Sequence, residues 1–583
     1  MCGIAGIISK DVSRINENIL VRMGSCLAHR GPDGKGTWTN NDRTAGFSHT
    51  RLTVIDTSET AAQPMHYDGR YTIIYNGEIY NYIELRAGLA GAGYKFRTVS
   101  DTEVILAAYA HYREECVRHF DGMFSFAIWD DVDKVLFCAR DRFGEKPFYY
   151  AQNDGLYFAS EIKALLAAGI NDATDDGMLL QFLGTGRTID PANSSRTFYS
   201  SIKKLPAAHW MKFDYESSSG EIKKYWDVSK QVVNIPLNEA LEMLDSLLTV
   251  SVRRRLRSDV SLGTSLSGGL DSSGIAATLF SCNVSNLKTF TASFPGFEKD
   301  ESANAALVAK NFGLTNHTVE PGAKDLADTM GRLAYYHDEP VATASVYAQF
   351  KVFELAAWQN VTVLLDGQGA DEVFAGYDHY RKWRLRTILP GYTALLLEKR
   401  ERKNLTALPF LNVDFLSVAI EQVDVTKPVV RELNDLLYFD TFCYGLEQLL
   451  RYADRNSMAH GREVRLPYLY HELVSFVFSL PAAYKIHEGY TKWVLRKLMD
   501  DKIPDEIVWK KRKTGFEPPQ RKWMENSRMI EYLREAKSHL VQYGLLDKLV
   551  LDQRPSSNEA FDRQAYEWRW MAISAFIRNK KGV

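Results

Sequence analysis

Two short segments, residues 261–266 and 361–365, read as isolated buried strands, each ending in a glycine-rich turn and leading into helical periodicity. Buried strands alternating with helices belong in a parallel sheet covered by helices, so the second half of the chain is constrained to a parallel α/β arrangement. The first 170 residues follow another grammar. Short apolar runs at 71–75, 123–129 and 135–139 are separated by Gly, Asn and Asp turns, with a helical pattern at 102–112, which predicts stacked sheets with helices between the strands. The polar stretch Glu216-Ser217-Ser218-Ser219-Gly220-Glu221 marks the expected boundary. The predicted division is 2–215, a linker 216–235, and 236–583, with residues 440–583 mainly helical and rich in Trp and Tyr. A length of 583 residues accommodates these domains.

The composition, 45% hydrophobic and 25% charged, is that of a globular protein. A net charge of −2 gives no broad electrostatic reason to bind nucleic acid or an acidic membrane, and neither is an expected partner. Six cysteines (Cys2, Cys26, Cys116, Cys138, Cys282, Cys443) lack CxxC or Cys/His spacing, which argues against structural zinc and a disulfide framework and suits a reducing compartment. No basic segment leads into an apolar one at the N-terminus, and no run of 18 apolar residues occurs. The expectation is a soluble, cytoplasmic protein.

Ser267-Gly268-Gly269-Leu270-Asp271-Ser272-Ser273 follows the first buried run and opens a helix predicted over 274–280, so its backbone N–H groups would point at an anion. It lacks the lysine ending of a Walker loop and instead supplies hydroxyls and one carboxylate, Asp271, suited to Mg²⁺ on pyrophosphate oxygens. An N-capped helix after a tight turn is the blander reading. The second run ends in Asp366-Gly367-Gln368-Gly369-Ala370-Asp371-Glu372, at the carboxyl end of a parallel strand, where open α/β sheets bind ligands. Asp371 is then a second Mg²⁺ ligand, although a glycine turn capped by acids fits this loop equally well.

At the other end, removal of Met1 would place the α-amine of Cys2 beside its own thiol. With a pKa of about 7.7–8.0, that amine can take the thiol proton near neutral pH. A small buried cysteine starting a strand is the simpler reading of Met-Cys alone. Asn76-Gly77-Glu78 offers an amide beside a glycine N–H, paired donors for a tetrahedral oxyanion, or a common hairpin turn. Arg51 could pair with a substrate carboxylate and Asp101 with an α-ammonium, or each could form a structural ion pair.

With these residues in place, the chain closely resembles the glutamine-hydrolysing asparagine synthetase family. The likeness is carried by Met1-Cys2-Gly3-Ile4, His29-Arg30-Gly31-Pro32-Asp33, Asn76-Gly77-Glu78, Ser100-Asp101-Thr102-Glu103, 267–273, Gly376-Tyr377, Arg462-Glu463-Val464-Arg465-Leu466-Pro467 and 492–496. The resemblance implies an α+β and α/β protein: an N-terminal-nucleophile αββα sandwich followed by a parallel α/β ATP-pyrophosphatase domain with a helical C-terminal segment. It implies that Cys2 attacks glutamine, that Asn76 and Gly77 form the oxyanion hole, and that Arg51, Glu78 and Asp101 hold the glutamine backbone groups, with Leu52, Thr53, Val54 and Ile55 lining the pocket. On the ATP side it implies Leu266, Ser267, Gly268, Gly269, Asp271, Ser272, Ala292, Asp366 and Gly367, with Mg²⁺ on Asp271 and Asp371 and Lys492 near the reacting phosphate. Ammonia would travel through an internal tunnel, and a homodimer is expected by resemblance alone.

Aspartate is the default acceptor, giving asparagine, glutamate, AMP and pyrophosphate. Two departures bear on it. The family's Ser-Gly-Glu-Gly appears here as Asp366-Gly367-Gln368-Gly369, and Gln368 can neither act as a base nor carry negative charge. The family's Pro-Phe-Leu-Asp appears as Pro467-Tyr468-Leu469-Tyr470. An amidotransferase for another carboxylate, such as a uronic acid sugar or a cell-wall precursor, is therefore the rival. A silent glutamine- and nucleotide-binding sensor is disfavoured by intact Cys2, Asn76 and Asp271. Three basic features receive bland readings: Arg253-Arg254-Arg255-Leu256-Arg257 as the solvated end of a helix, Lys510-Lys511-Arg512-Lys513 as an exposed loop before Thr514-Gly515-Phe516, and Lys492 as a solvated helix position one turn from the like charge of Arg496.

Overall fold

The computed structural model describes residues 1–284, 287–511 and 515–580. Its first half contains twelve strands: β1 (Cys2–Ser9), β2 (Gly34–Thr39), β3 (Ala45–Arg51), β4 (Met65–Tyr67), β5 (Tyr71–Ile79), β6 (Gly122–Asp130), β7 (Val135–Arg140), β8 (Tyr149–Gln152), β9 (Gly155–Ala159), β10 (Lys203–Lys204), β11 (His209–Asp214) and β12 (Ser219–Lys224). They form two antiparallel six-stranded sheets, ordered β10-β8-β9-β1-β3-β2 and β12-β11-β7-β6-β5-β4. The period-2 side-chain rule explains why β1 is apolar throughout. Ile4 and Ile8 face the second sheet, packing with Phe47, Ile74, Trp129 and Leu136, while Ala5 and Ile7 face the other way, into the core shared with Leu20 and Met23 of helix Glu17–Ser25. Helix Asp101–Tyr112 covers the outer face of the second sheet through Val104, Ile105 and Ala108 against Tyr71, Ile73 and Tyr75. The layers are therefore helix, sheet, sheet, helix.

The polar stretch 216–221 is a hairpin tip, not a boundary. It turns β11 into β12, an exposed edge strand that pairs with β11 from His209–Lys224 to Asp214–Ser219, so the sandwich runs to Lys224. The charges of Glu221, Lys223 and Lys224 on that strand protect the open edge from further pairing.

The second half holds one parallel sheet, β13 (Leu262–Ser265), β14 (Lys288–Ala292), β15 (Thr315–Val319), β16 (Val363–Leu365) and β17 (Glu463–Arg465), in the order β15-β14-β13-β16-β17. The chain moves outward from β13 to β15 and returns on the other side to β16, so the β13/β16 boundary is the switch point where a ligand crevice opens. The fifth strand interrupts a segment whose pattern is otherwise helical. It is only three residues long, and two of them are charged yet fully buried.

A buried seam of charge joins the halves. Arg30 meets Asp454 at 2.9 and 3.0 Å and Glu161 at 2.8 Å, Arg455 meets Glu161 at 2.7 Å, and Lys163 meets Asp338 at 3.0 Å. The arginine run 253–257 belongs to the same junction, contrary to its reading as a solvated helix end. Arg254 reaches Asp121 at 2.9 Å, Arg257 reaches Glu84 at 2.7 Å, and Arg255, 1% exposed, lies 4.4 Å from the Tyr80 ring. Arg253 alone is exposed. Among the described residues no helix is long and apolar enough to cross a membrane.

Candidate functional site

Two sites emerge, one in each half. The first is built on β1, β3 and β5. Antiparallel pairing sets Cys2 opposite Arg51, and the Cys2 amide donates to Asn76 Oδ1 at 2.9 Å. The Cys2 carbonyl accepts from Arg30 Nε at 3.0 Å, and Sγ lies 4.0 Å from the Leu52 carbonyl oxygen. Asn76 is fully buried, yet among the described residues its Nδ2 has no partner, and neither does Glu78 Oε2. A buried amide donor without an acceptor costs about 1–3 kcal/mol, which is the mark of a group kept for a visiting ligand. Gly77 is required by close approach: a Cβ there would stand 2.1 Å from the Met123 carbonyl oxygen on β6. Asp101 begins its helix with Oδ2 accepting from Tyr75 Oη at 2.8 Å and Ile79 N at 2.9 Å. The Arg51 guanidinium donates to the carbonyl oxygens of Ser58, at 2.8 Å, and Asp56. Thr53 is held by Asp33 through both its amide and its hydroxyl at 2.8 Å, while Leu52, Val54 and Ile55 enclose Met1.

Met1 is buried. Its side chain packs among Leu52, Val54, Ile55, Tyr80 and Met123 of the first half and Val363 and Met458 of the second, and its amine donates to Glu463 Oε2 at 3.2 Å and to the Leu52 carbonyl at 3.4 Å. The nitrogen beside the thiol is thus an amide, and the base expected of Cys2 appears only when Met1 is gone. Burial pushes the Cys2 thiol up, against the pull of the terminal ammonium. Burial would lower the Met1 amine, but the Glu463 carboxylate carries it up. Glu78 is driven well above the usual carboxylate range by burial and by Glu463, whereas Glu463 is held down by Arg465 and the amine despite its own burial.

Glu463, Arg465 and Arg30 stand in short motifs to which the sequence alone gives no role. Arg30 binds the Cys2 carbonyl with one nitrogen and Asp454 with two others, and Glu463 comes from the last strand of the other half's parallel sheet. Partners more than 400 residues apart leave no local signal.

The second site occupies the crevice at the switch point. The helix opens earlier than predicted, at Leu270, inside the serine-glycine loop. Gly268 takes φ +83°, and a Cβ there would meet the Ala305 amide nitrogen at 2.6 Å, so only glycine closes this turn. The Ser267 and Ser272 hydroxyls lie 3.0 Å apart. The cavity is lined by 265–272 on one side, Phe290, Thr291 and Ala292 on another, and Asp366, Gly367, Gln368, Asp371 and Gly376 beyond. Lys492 closes it. This residue is 4% exposed rather than solvated, takes φ +53° at the start of helix Trp493–Met499, and places Nζ 2.5 Å from Asp271 and 2.6 Å from Asp371. Arg496 lines the same cavity, its guanidinium donating to the carbonyl oxygens of Thr491, at 2.7 Å, and Val508. Gly376 forms the floor under Lys492; a Cβ would meet Lys492 Cε at 2.2 Å. Lys510 also lines the cavity, paired with Glu301 at 2.7 Å, so the second basic run is not wholly an exposed loop; Arg512, Lys513 and Thr514 lie outside the described residues.

The departures at 468 and 470 are both used. Tyr468 donates to the Asp271 carbonyl at 3.1 Å and so pins the loop, and the Tyr470 hydroxyl stands 3.3 Å from Arg254 at the junction of the halves. Gln368 Oε1 is buried with no partner among the described residues. Burial carries the Asp366 carboxyl up to about 6.

Residues 1–226 match the glutamine amidotransferase domain and residues 243–578 match asparagine synthase. Asparagine synthetase [glutamine-hydrolyzing] 1 of Bacillus subtilis (strain 168) is 33% identical over 92% of this chain and 89% of its own. Asparagine synthetase [glutamine-hydrolyzing] 3 of the same organism is 32% identical over 95% and 93%. Among solved structures, the glutamine phosphoribosylpyrophosphate amidotransferase of B. subtilis covers 76% of this chain and 97% of its own at 12% identity, with a TM-score of 0.31, too slight a likeness to carry an argument.

Proposed function

Because the chain belongs to the asparagine synthase family, we propose that it is an ATP-dependent, glutamine-hydrolysing ligase that amidates a carboxylate, with aspartate as acceptor. The observation that carries this reading is the joining, in one chain, of a buried cysteine whose amide is bonded to Asn76, a side chain with an amide donor unused among the described residues, and a switch-point cavity where two carboxylates converge on one cation.

In the first half, with Met1 removed, the Cys2 amine takes the thiol proton and sulfur attacks the side-chain carbonyl of glutamine. Asn76 Nδ2 and the Gly77 N–H hold the developing oxyanion. The C–N bond breaks, ammonia leaves with a proton from the amine, and water hydrolyses the thioester to glutamate. Arg51 exchanges a carbonyl partner for the glutamine carboxylate, while Glu78 and Asp101 receive its ammonium.

In the second half the 267–273 loop receives the phosphates of ATP, and the acceptor carboxylate attacks the α-phosphorus, expelling pyrophosphate. Ammonia then displaces AMP from the acyl carbon. Asp271 and Asp371 fit a Mg²⁺ ion, since their oxygens already meet at the single point filled by the Lys492 ammonium. When bound, Mg²⁺ supplies neutralisation of the leaving pyrophosphate. With Mg²⁺ held there, Lys492 would be free to meet the reacting phosphate.

One observation favours a second reading, a carboxylate other than aspartate. Gln368 faces the cavity with a neutral amide where the family has a carboxylate. Pyrophosphate release with ATP, Mg²⁺ and ammonia across a panel of carboxylates, with mass spectrometry of the products, tests both. Aspartate turnover to asparagine and AMP supports the first reading. Silence with aspartate alongside intact glutamine hydrolysis supports the second.

A further inference from the structure

The segment 381–403 is a surface element turned inside out. Helix Trp383–Arg386 carries Leu385, the bend after it carries Ile388 and Leu389, and helix Pro390–Thr406 carries Tyr392, Leu395 and Leu396, together a run of large apolar side chains. On an ordinary surface helix such a stripe faces the core. Here it faces solvent, with exposures from 44% at Leu395 to 67% at Ile388, while Ala394 and Leu405 on the opposite side are buried.

The charges are sorted in the same sense. Glu398 and Glu401 point inward, where Glu398 accepts from the Lys427 amide at 3.0 Å and Glu401 pairs with Arg187 and Lys427, each at 2.6 Å. The exposed charged residues within 381–403 are all basic: Arg381, Lys382, Arg384, Lys399, Arg400, Arg402 and Lys403. Arg381 lies 3.3 Å from Asp378 and Arg402 lies 3.3 Å from Glu421; the other five make no ion pair among the described residues. A chain of net charge −2 thus concentrates positive charge around an exposed apolar stripe.

We propose that this face docks on an anionic lipid bilayer, with the apolar stripe entering the headgroup boundary and the flanking cations meeting lipid phosphates. Apolar side chains set beside Lys and Arg on a helix lying in the surface plane are the arrangement such binding requires. A second copy of the chain fits poorly, because a two-fold contact would press seven cations against seven. Nucleic acid fits poorly as well, because six exposed apolar side chains would be left in the contact without purpose.

The test is co-sedimentation of the full-length protein with vesicles of phosphatidylcholine containing about 30 mol% phosphatidylglycerol, against pure phosphatidylcholine, at low and high salt. Wild type should partition onto the anionic vesicles, release at high salt, and ignore neutral ones. Arg384→Gln with Arg400→Gln should lower the partition coefficient roughly 30-fold, about fivefold for each cation. Leu389→Ser with Leu396→Ser should lower it at least as far, and both variants should keep wild-type glutamine hydrolysis, which shows that they are folded. Failure of wild type to sediment with anionic vesicles at low salt overturns the proposal, as does equal binding to neutral vesicles or indifference to either variant. Binding of a single-stranded RNA that survives the leucine substitutions assigns the face to nucleic acid, and a dimer in light scattering that they abolish assigns it to a second copy; each of these also overturns the lipid reading.

Discussion

The two sites are built on opposite plans. Around Cys2 the side chains are positioned before a ligand arrives: strands fix Asn76 and Glu78, whose Nδ2 and Oε2 stay unpartnered among the described residues, Asp101 is doubly bonded, Arg51 is spent on carbonyl oxygens, and Arg30 ties Cys2 to the other half. Around Asp271 the fixed element is a loop pinned by Tyr468, and the charges neutralise one another, with Lys492 filling the place between two aspartates. Neutral amide chemistry needs a dry, preset pocket, whereas a polyanionic substrate brings charge that must find counter-charges ready to rearrange.

Cys2→Ala sharpens this contrast most. Glutamate release from glutamine should fall at least about 10³-fold, while ammonia-driven pyrophosphate release stays within about twofold. A parallel loss of both would mean that the sites are not separable. Asp454→Asn attacks what they share. It removes a buried counter-ion of Arg30, and urea unfolding should report a loss of about 3 kcal/mol with both activities lowered together. Asp371→Asn should reduce pyrophosphate release about 10²-fold and leave glutamine hydrolysis intact, the mirror image of Cys2→Ala.

Gly376→Ala drives a methyl group into Lys492, so synthetase turnover should fall about tenfold with no change in glutaminase KM or turnover. The smallest effect concerns pH. Burial, aided by Asp141, carries the Glu145 carboxyl up to about 8, and neither of its oxygens has a partner among the described residues. Its folded value exceeds the unfolded value of about 4.3, so stability is full below the latter, falls as pH rises toward 8, and is level beyond. Glu145→Gln should flatten that slope in thermal unfolding; superimposable profiles would show that Glu145 is not held neutral.

Much of the fold was legible because it rests on local periodicity. The apolar runs at 71–75, 123–129 and 135–139 lie within β5, β6 and β7, and the strands expected at 261–266 and 361–365 contain β13 and β16. What failed was local composition standing in for tertiary position. Ser- and Gly-rich 216–221 has the composition of a linker but turns a hairpin, and Arg253–Arg257 has the composition of a solvated helix end but meets acids of the other half. β17 was invisible because Glu463 and Arg465 are charged, and what makes them a buried strand is their mutual pairing beneath the N-terminus. Cys2, Asn76, Asp271 and Asp371 stood in short motifs that name a chemistry, whereas Glu463, Arg30, Tyr468 and Gly376 stood in the sequence without a role and acquire one only through contacts it does not display.

The burial of Met1 has a consequence for the order of synthesis. Its pocket is closed by Val363, Met458 and Glu463, residues a ribosome makes long after the sandwich has emerged. On the mechanism we propose, excision of Met1 precedes closure of the second half over it, because Val363, Met458 and Glu463 are the residues that cover it.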